Sequence, residues 1–422
     1  MPSLSSAEEA RRLDQEDELA AFRGRFVIAD PNLTYLNGNS LGRLPAAAVS
    51  RLDELVAREW GGRLIRGWNE GWFELAERLG ARLAPLLGAA EDEVILADST
   101  SVNLFKVVAA ALQARPGRNE IVTDDLNFPS DLYVLQGAAR LAGPDYQIRV
   151  VPSADGVHGP AEGLIAALRP ETALVALSHV TFQSSYAYDL PRLTAAAQAA
   201  GALAVWDLSH SAGALPVGLN SAGADLAVGC TYKYLNGGPG APSFLFVRRD
   251  LQARLLNPIS GWMGQRGPFE LALDYTPADG LRRFLTGTPP ILSLAAVEPG
   301  LDLIREAGLE RIRAKSVRQS QFFIALFDQI LAPLGFWLNS PRDPGRRGSH
   351  VSLGHVEAWR INRALIEEMQ VLPDFRRPDT IRFGIAPLYT TFTELYQAAE
   401  RLRQVVVEER YARLPAAMPA VT

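Results

Sequence analysis

One cysteine in 422 residues excludes an internal disulfide and any zinc site built on cysteine thiolates. Histidine is scarce too: the five present are dispersed, and no pair sits at the i, i+4 spacing of a helical metal site. His350 and His355 come nearest, five apart with Gly354 between them. Basic charge is short, with 42 Lys and Arg against 47 Asp and Glu, a formal net charge of −5. Nucleic-acid binders ordinarily carry a basic surplus, so that class is set aside. Long apolar runs are missing: the longest, residues 195–206, is interrupted by Gln198 and Gly201, too short to span a bilayer. The first residues, MPSLSSAEEARRLDQEDELAAF, are charged throughout and lack an apolar centre. No secretory signal is therefore expected, and a cytoplasmic setting is the default. No low-complexity tract or fixed-period repeat is visible, which sets aside disordered and solenoid readings.

What is present is a large apolar complement, 48% of residues, enough for about two domains. The opening stretch of about twenty residues reads as a polar helix forming an exposed arm. TYLNGNSLGRLP reads as a loop. Residues 46–60 place Val49, Leu52, Val56 and Trp60 at helical spacing, and a second helix over 72–87 ends at Gly88, a natural C-cap. Short runs rich in Val, Ile and Leu then alternate with Ala-rich helical segments such as 102–112 and 190–200. The strand candidates begin near Val94, Glu120, Gln147, Ala173, Leu203, Asp225 and Ser243. Several are apolar on both faces, as central strands of a covered parallel sheet must be. The rhythm predicts an α/β fold with a mostly parallel seven-stranded sheet. A loop-rich stretch (257–290) and a long helical region (291–334) follow. After these comes a smaller α+β unit, with strands near 350–353 and 381–385 and helices near 357–369 and 393–411. The expected division is an arm and helix over 1–60, a large α/β domain over 61–290, and a linking helix with a small C-terminal domain over 291–422.

Three segments carry chemistry. In DLAVGCTYKYLNGGPG a buried strand ends at Cys230 and Lys233 follows at once. Ligands of open α/β sheets bind beyond the carboxyl ends of the strands, and a partly desolvated lysine there can form a Schiff base. In LAVWDLSHSAG a second buried strand ends at Asp207, an acid placed to hold a cationic ring nitrogen. In ADSTSVNLFK, Ser99, Thr100 and Ser101 precede a helical run whose free N–H groups attract phosphate. Each has a plainer reading alone: a surface loop lysine, a turn aspartate, an ordinary N-cap. Together they supply what pyridoxal phosphate requires: an amine for its aldehyde, an acid for its pyridinium and a cup for its phosphate.

The sequence also resembles the kynureninase family of aminotransferase-like, fold type I pyridoxal phosphate enzymes. The matching words are YLNGNSLG, IRGWNEGW, DSTSVNLFK, FPSDLY, LSHVTFQSS, DLSHSAG, TYKYLNGGPGAP, GWMG, GTPPIL and IRFGIAPLY, running from Tyr35 to Tyr389. The resemblance implies that Lys233 bonds the cofactor aldehyde, Asp207 holds the ring nitrogen, and Thr100 and Ser101 bind phosphate. It implies that Phe128 stacks on the ring, with Ser130, Asp131, Ser178 and His210 as further cofactor contacts. It gives Tyr232 the roles of phosphate ligand and proton donor. Trp262 and Thr288 would reach the phosphate from the neighbouring subunit of a homodimer with shared sites. Arg382 would clamp the substrate α-carboxylate, and Asn39, Ser40 and Trp68 would line the substrate side. Several of these also read as packing residues: Phe128, Trp68 and Tyr232 as core aromatics, His210 as a structural histidine, Arg382 as a surface arginine.

The implied activity is hydrolysis of L-kynurenine to anthranilate and L-alanine, in tryptophan degradation and NAD biosynthesis. Trp68 and Thr288 favour plain kynurenine over 3-hydroxykynurenine. The alternatives are a cysteine desulfurase, an aminotransferase or a catalytically silent homologue. A desulfurase needs an exposed reactive cysteine, whereas Cys230 reads as a buried small hydrophobe. A dinucleotide-dependent dehydrogenase lacks its G-x-G-x-x-G between strand and helix.

Overall fold

The computed structural model describes residues 6–415 and 417. Its seven-stranded sheet comprises β1 (Val94–Ala97), β2 (Glu120–Asp124), β3 (Gln147–Val151), β4 (Thr172–Ser178), β5 (Leu203–Asp207), β6 (Leu226–Gly229) and β7 (Ser243–Val247). They lie in the order β1-β7-β6-β5-β4-β2-β3. All pairs are parallel except those of β7, which runs antiparallel to β1 and β6. TALVALS in β4 and LAVWD in β5 are buried at every residue, because helices cover both faces. Edge strand β3 is partly exposed throughout.

The helix Leu75–Leu87 stops at Gly88, whose left-handed φ of +67° supplies the cap foreseen from sequence. The helical region after residue 290 divides at Gly308 into Ile291–Ala307 and Leu309–Leu326. The first of these lies against the segment after Lys233. At Gly300 a Cβ would meet the Leu235 carbonyl oxygen at 2.1 Å, so only glycine permits that approach.

The C-terminal sheet is antiparallel and comprises β8 (Trp337–Leu338), β9 (His350–Gly354), β10 (Asp374–Arg376) and β11 (Thr380–Gly384), ordered β10-β11-β9-β8. Two hydrophobic cores result. One fills the large sheet and takes Leu294, Val297, Leu301 and Ile304 from the helix Ile291–Ala307. The other runs from Phe322 to Val405 and includes Ala10 and Leu36. The cores thus meet within the helix Leu309–Leu326 rather than at residue 290.

Two sequence expectations are corrected. The N-terminal helix Ala7–Gln15 is docked, not a free arm. Asp14 accepts the Phe392 and Thr393 amides at 2.7 and 2.9 Å, capping the helix Phe392–Val407, and Lys315 pairs with Asp17 at 2.6 Å. The helix beginning at Ala46 does not bury the face read from its periodicity. It packs through Ala48 and Leu55, leaving Val49, Val56 and Trp60 exposed. Its α-helical part is Ala46–Glu54, and Leu55–Arg63 continues as wider turns. Among the described residues, no helix is long and apolar enough to cross a membrane.

Candidate active site

A cavity of about 220 Å³ lies beyond the carboxyl ends of the large sheet's strands, where open α/β sheets place their ligands. β1 runs into the helix Thr100–Gln113, so Thr100 and Ser101 sit in the first turn, where backbone N–H groups lack intrahelical partners. Ser99 is the N-cap and accepts the Val102 amide at 3.4 Å. Ser101 Oγ meets Ser130 Oγ at 3.0 Å, which brings the start of the helix Pro129–Ala142 to the same point. Three hydroxyls and a helix dipole thus form a cup suited to a phosphate.

Phe128, the N-cap of that second helix, turns its ring into the cavity edge-on to Phe182, 5.2 Å between centroids. Ser178 ends β4 and Asp207 ends β5. Asp207 accepts two bonds on Oδ1, from the Ser209 amide (2.9 Å) and Ser209 Oγ (2.6 Å). Its other oxygen has no hydrogen-bond partner among the described residues. Lys233 follows β6, and its Nζ lies 2.9 Å from His210 Nε2.

The electrostatics follow from burial. The Asp131 carboxyl is pushed well above the ordinary range, first by desolvation and then by the charge of Asp207, with Lys233 opposing. Burial also raises Asp207, opposed by Lys233 and the bonds from Ser209. His210 is held well below its ordinary value by burial and the nearby Lys233, so its ring stays neutral. The Tyr232 phenol is raised, by Cys230 beside it and then by burial, and stays protonated.

The small domain and the N-terminal loop close the other side. Thr34–Tyr35 pair in parallel with Val371–Leu372, and the following loop carries Asn39 and Ser40 to the cavity wall. Asn39 is fully buried, with neither amide atom partnered among the described residues. Arg382, on β11, is 1% exposed and donates to the Phe182 carbonyl at 2.6 Å and to Ser40 Oγ at 3.0 Å. It also pairs with Asp374, which sits opposite it in the β10–β11 register.

The cavity therefore gathers Asn39, Ser40, Thr100, Ser101, Phe128, Ser130, Asp131, Ser178, Asp207, His210, Tyr232, Lys233 and Arg382. It does not gather Trp68, which packs edge-on against Trp72 with centroids 5.9 Å apart. Trp262 and Thr288 are solvent-exposed in the single chain, away from the cavity. The sequence reading missed Phe182, Ser209 and Arg376, which also line it. Phe182 and Ser209 lie inside LSHVTFQSS and DLSHSAG, four positions after Ser178 and one before His210. Arg376 gave no such signal, since its position depends on the β10–β11 pairing.

These residues suit pyridoxal phosphate: a lysine amine, a carboxylate oxygen left free beyond a strand, a hydroxyl-lined helix start and an aromatic face all open on one cavity. No group of three His, Cys, Asp or Glu among the described residues could hold a metal ion.

Known proteins agree with this architecture. The chain is similar to a cysteine desulfurase from Thermococcus onnurineus NA1, with a TM-score of 0.79 at 18% identity over 94% of this chain and 98% of that one. It is also similar to C-DES, in a structure with glycine covalently linked to its PLP cofactor, with a TM-score of 0.77 at 20% identity over 88% of this chain and 97% of that one. At such identities the likeness establishes the aminotransferase-like fold alone. A family model for the kynureninase C-terminal domain matches residues 312–402. A kynureninase of Pseudomonas fluorescens is 44% identical over 97% of this chain and 98% of its own length. One from Burkholderia mallei (strain SAVP1) is 45% identical over 97% of each. With near-complete coverage at this identity, the chain belongs to the kynureninase family.

Proposed function

We propose that this protein is a pyridoxal phosphate-dependent hydrolase that cleaves L-kynurenine to anthranilate and L-alanine. The observation that carries the reading is that Lys233, an Asp207 with one carboxylate oxygen unspent, and Arg382 all line one cavity. A guanidinium in that wall suits an amino acid held by its α-carboxylate. When bound, pyridoxal phosphate supplies an aldehyde that captures amines and a cationic ring that withdraws electrons.

Each protein group has a task. Thr100, Ser101 and Ser130 would hold the phosphate, Phe128 would lie against the ring, and the free oxygen of Asp207 would accept the ring N–H. Ser178 and His210 complete the ring's surroundings, and Asp131 lies beside Lys233. Lys233 would be the amine that meets the aldehyde and the base that moves the substrate's Cα proton. His210 stays neutral and can take a hydrogen bond from Lys233 without competing as a cation. Tyr232, kept protonated, is the group this reading assigns to return a proton to the substrate. Asn39, with both amide atoms unspent, and Ser40 position the substrate.

The working unit in this reading is a homodimer. Trp60, Leu64, Ile65, Trp262, Phe269, Leu271 and Leu273 are all exposed in the single chain, large apolar side chains of the kind a second copy would cover. A second copy over these side chains would account for their exposure, and in this reading Trp262 and Thr288 would serve a neighbour's phosphate cup. Such an enzyme belongs in tryptophan degradation and NAD biosynthesis, in the cytoplasm.

A second fold-compatible reading, cysteine desulfurase, meets an obstacle. Cys230 is 2% exposed and burial raises its thiol pKa, the opposite of a mobile sulfur acceptor. The test is direct: purified holoprotein is mixed with L-kynurenine and anthranilate fluorescence is followed. Lys233→Ala is expected to abolish both the visible cofactor band and turnover. Full turnover in that variant, or none in the parent, would overturn the reading.

A further inference from the structure

Arg382 alone is poorly placed to attract an anion. Its guanidinium already donates to the Phe182 carbonyl and to Ser40 Oγ, and it is paired with Asp374. An arginine and an aspartate in contact sum to no net charge. A second guanidinium changes that balance. Arg376, on the neighbouring strand β10, also lines the cavity and reaches the same Asp374 oxygen at 2.9 Å. Two guanidiniums thus share one carboxylate, leaving one unit of positive charge facing the cavity. The Nε atoms of both arginines are buried and have no partner among the described residues. The histidines nearby add nothing to the charge, since burial holds His210 and His350 neutral.

The geometry points to Arg376 as a specificity-determining residue. It supplies the uncompensated positive charge that selects substrates bearing a free α-carboxylate, while Asp374 fixes both guanidiniums in place. The substrate carboxylate completes a two-cation, two-anion cluster, and a neutral amide in the same position leaves the cluster one charge short. This inference rests on the amino-acid-binding reading of the cavity given above.

The arginine can be replaced without emptying a core site, because its side chain is 32% exposed. The test uses the holoenzyme, with L-kynurenine and its α-carboxamide as paired substrates. For Arg376→Gln, KM for L-kynurenine is expected to rise about tenfold or more, with a smaller fall in kcat. The preference for acid over amide, taken as a ratio of kcat/KM, is expected to shrink by a similar factor. Arg376→Lys, which keeps the charge but loses the planar fork, is expected to recover part of that preference. An unchanged cofactor absorption band in both variants shows that the fold and the cofactor pocket persist. A merely structural arginine would depress acid and amide alike, so an unaltered acid-to-amide ratio in Arg376→Gln overturns the proposal while leaving the hydrolase reading intact. Failure of the parent enzyme to turn over L-kynurenine defeats the hydrolase reading itself, and this inference with it.

Discussion

Asp98→Asn is the sharpest probe of how the phosphate cup is held. Asp98 lies between β1 and the helix Thr100–Gln113 in a left-handed conformation, φ +41°. It pairs with Lys106, whose side chain is fully buried and also donates to the Phe284 carbonyl at 2.7 Å. Asparagine keeps the shape of aspartate and tolerates the left-handed region, so the substitution removes charge and little else. What remains is a buried ammonium with only neutral acceptors. Removing one partner of a buried pair costs about 3–5 kcal/mol. Because Asp98 is 30% exposed and the asparagine oxygen still accepts, about 3 kcal/mol is expected. At an m-value of about 3 kcal/mol/M, that lowers the urea midpoint of the large domain by about 1 M. Burial already pulls the Lys106 pKa down, and Asp98 opposes the pull. Without Asp98 the neutral amine becomes easier to reach, so the deficit should shrink as pH rises. The double variant Asp98→Asn/Lys106→Met removes both charges and should return to within about 1 kcal/mol of the parent. The assay is urea unfolding at fixed protein and cofactor concentrations, followed by tryptophan fluorescence. An Asp98→Asn midpoint equal to the parent's, or a double variant as unstable as the single one, would refute the reasoning.

Three further outcomes are expected. Cys230→Ala should keep turnover and lose less than about 2 kcal/mol of stability, as a buried small hydrophobe would; a loss of activity like that of Lys233→Ala would reopen the desulfurase reading. His179 is buried and its pKa falls from 6.5 to about 4, chiefly through desolvation. A folded-state value below the unfolded one gives stability that is complete above pH 6.5 and drains away as pH falls toward 4. His179→Gln lacks that titration, so its deficit relative to the parent should narrow by about 3 kcal/mol across that interval; parallel pH curves would count against it. Ile65→Glu places a charge in the exposed apolar surface. It should shift sedimentation toward a monomer and weaken cofactor retention, whereas an unchanged dimer would remove that surface from the interface.

Legibility varied with the range of the interactions involved. The strands β4 and β5 could be read because burial on both faces demands unbroken apolar runs, and TALVALS and LAVWD provide them. Lys233 and Asp207 stood out because each follows such a run directly. The face carrying Val49, Val56 and Trp60 misled, because periodicity reports an apolar stripe without saying what covers it. The docked N-terminal helix was hidden for a related reason. Its ties, Asp14 to the Phe392 and Thr393 amides and Asp17 to Lys315, join residues about three hundred or more positions apart.

The sequence by itself determined the α/β alternation, the glycine-capped helix end, the strand-end chemistry of Asp207 and Lys233, and the family likeness along most of the chain. Those features are local: strand burial, capping and turn chemistry act over a few neighbouring residues. Only the tertiary structure decided that Asp374 faces Arg382 and that Arg376 shares its charge. It also decided that Asn39 is buried with neither amide atom partnered among the described residues and that Trp68 packs edge-on against Trp72. Strand register and domain closure set those contacts, and both are settled by packing between segments that the linear order keeps far apart.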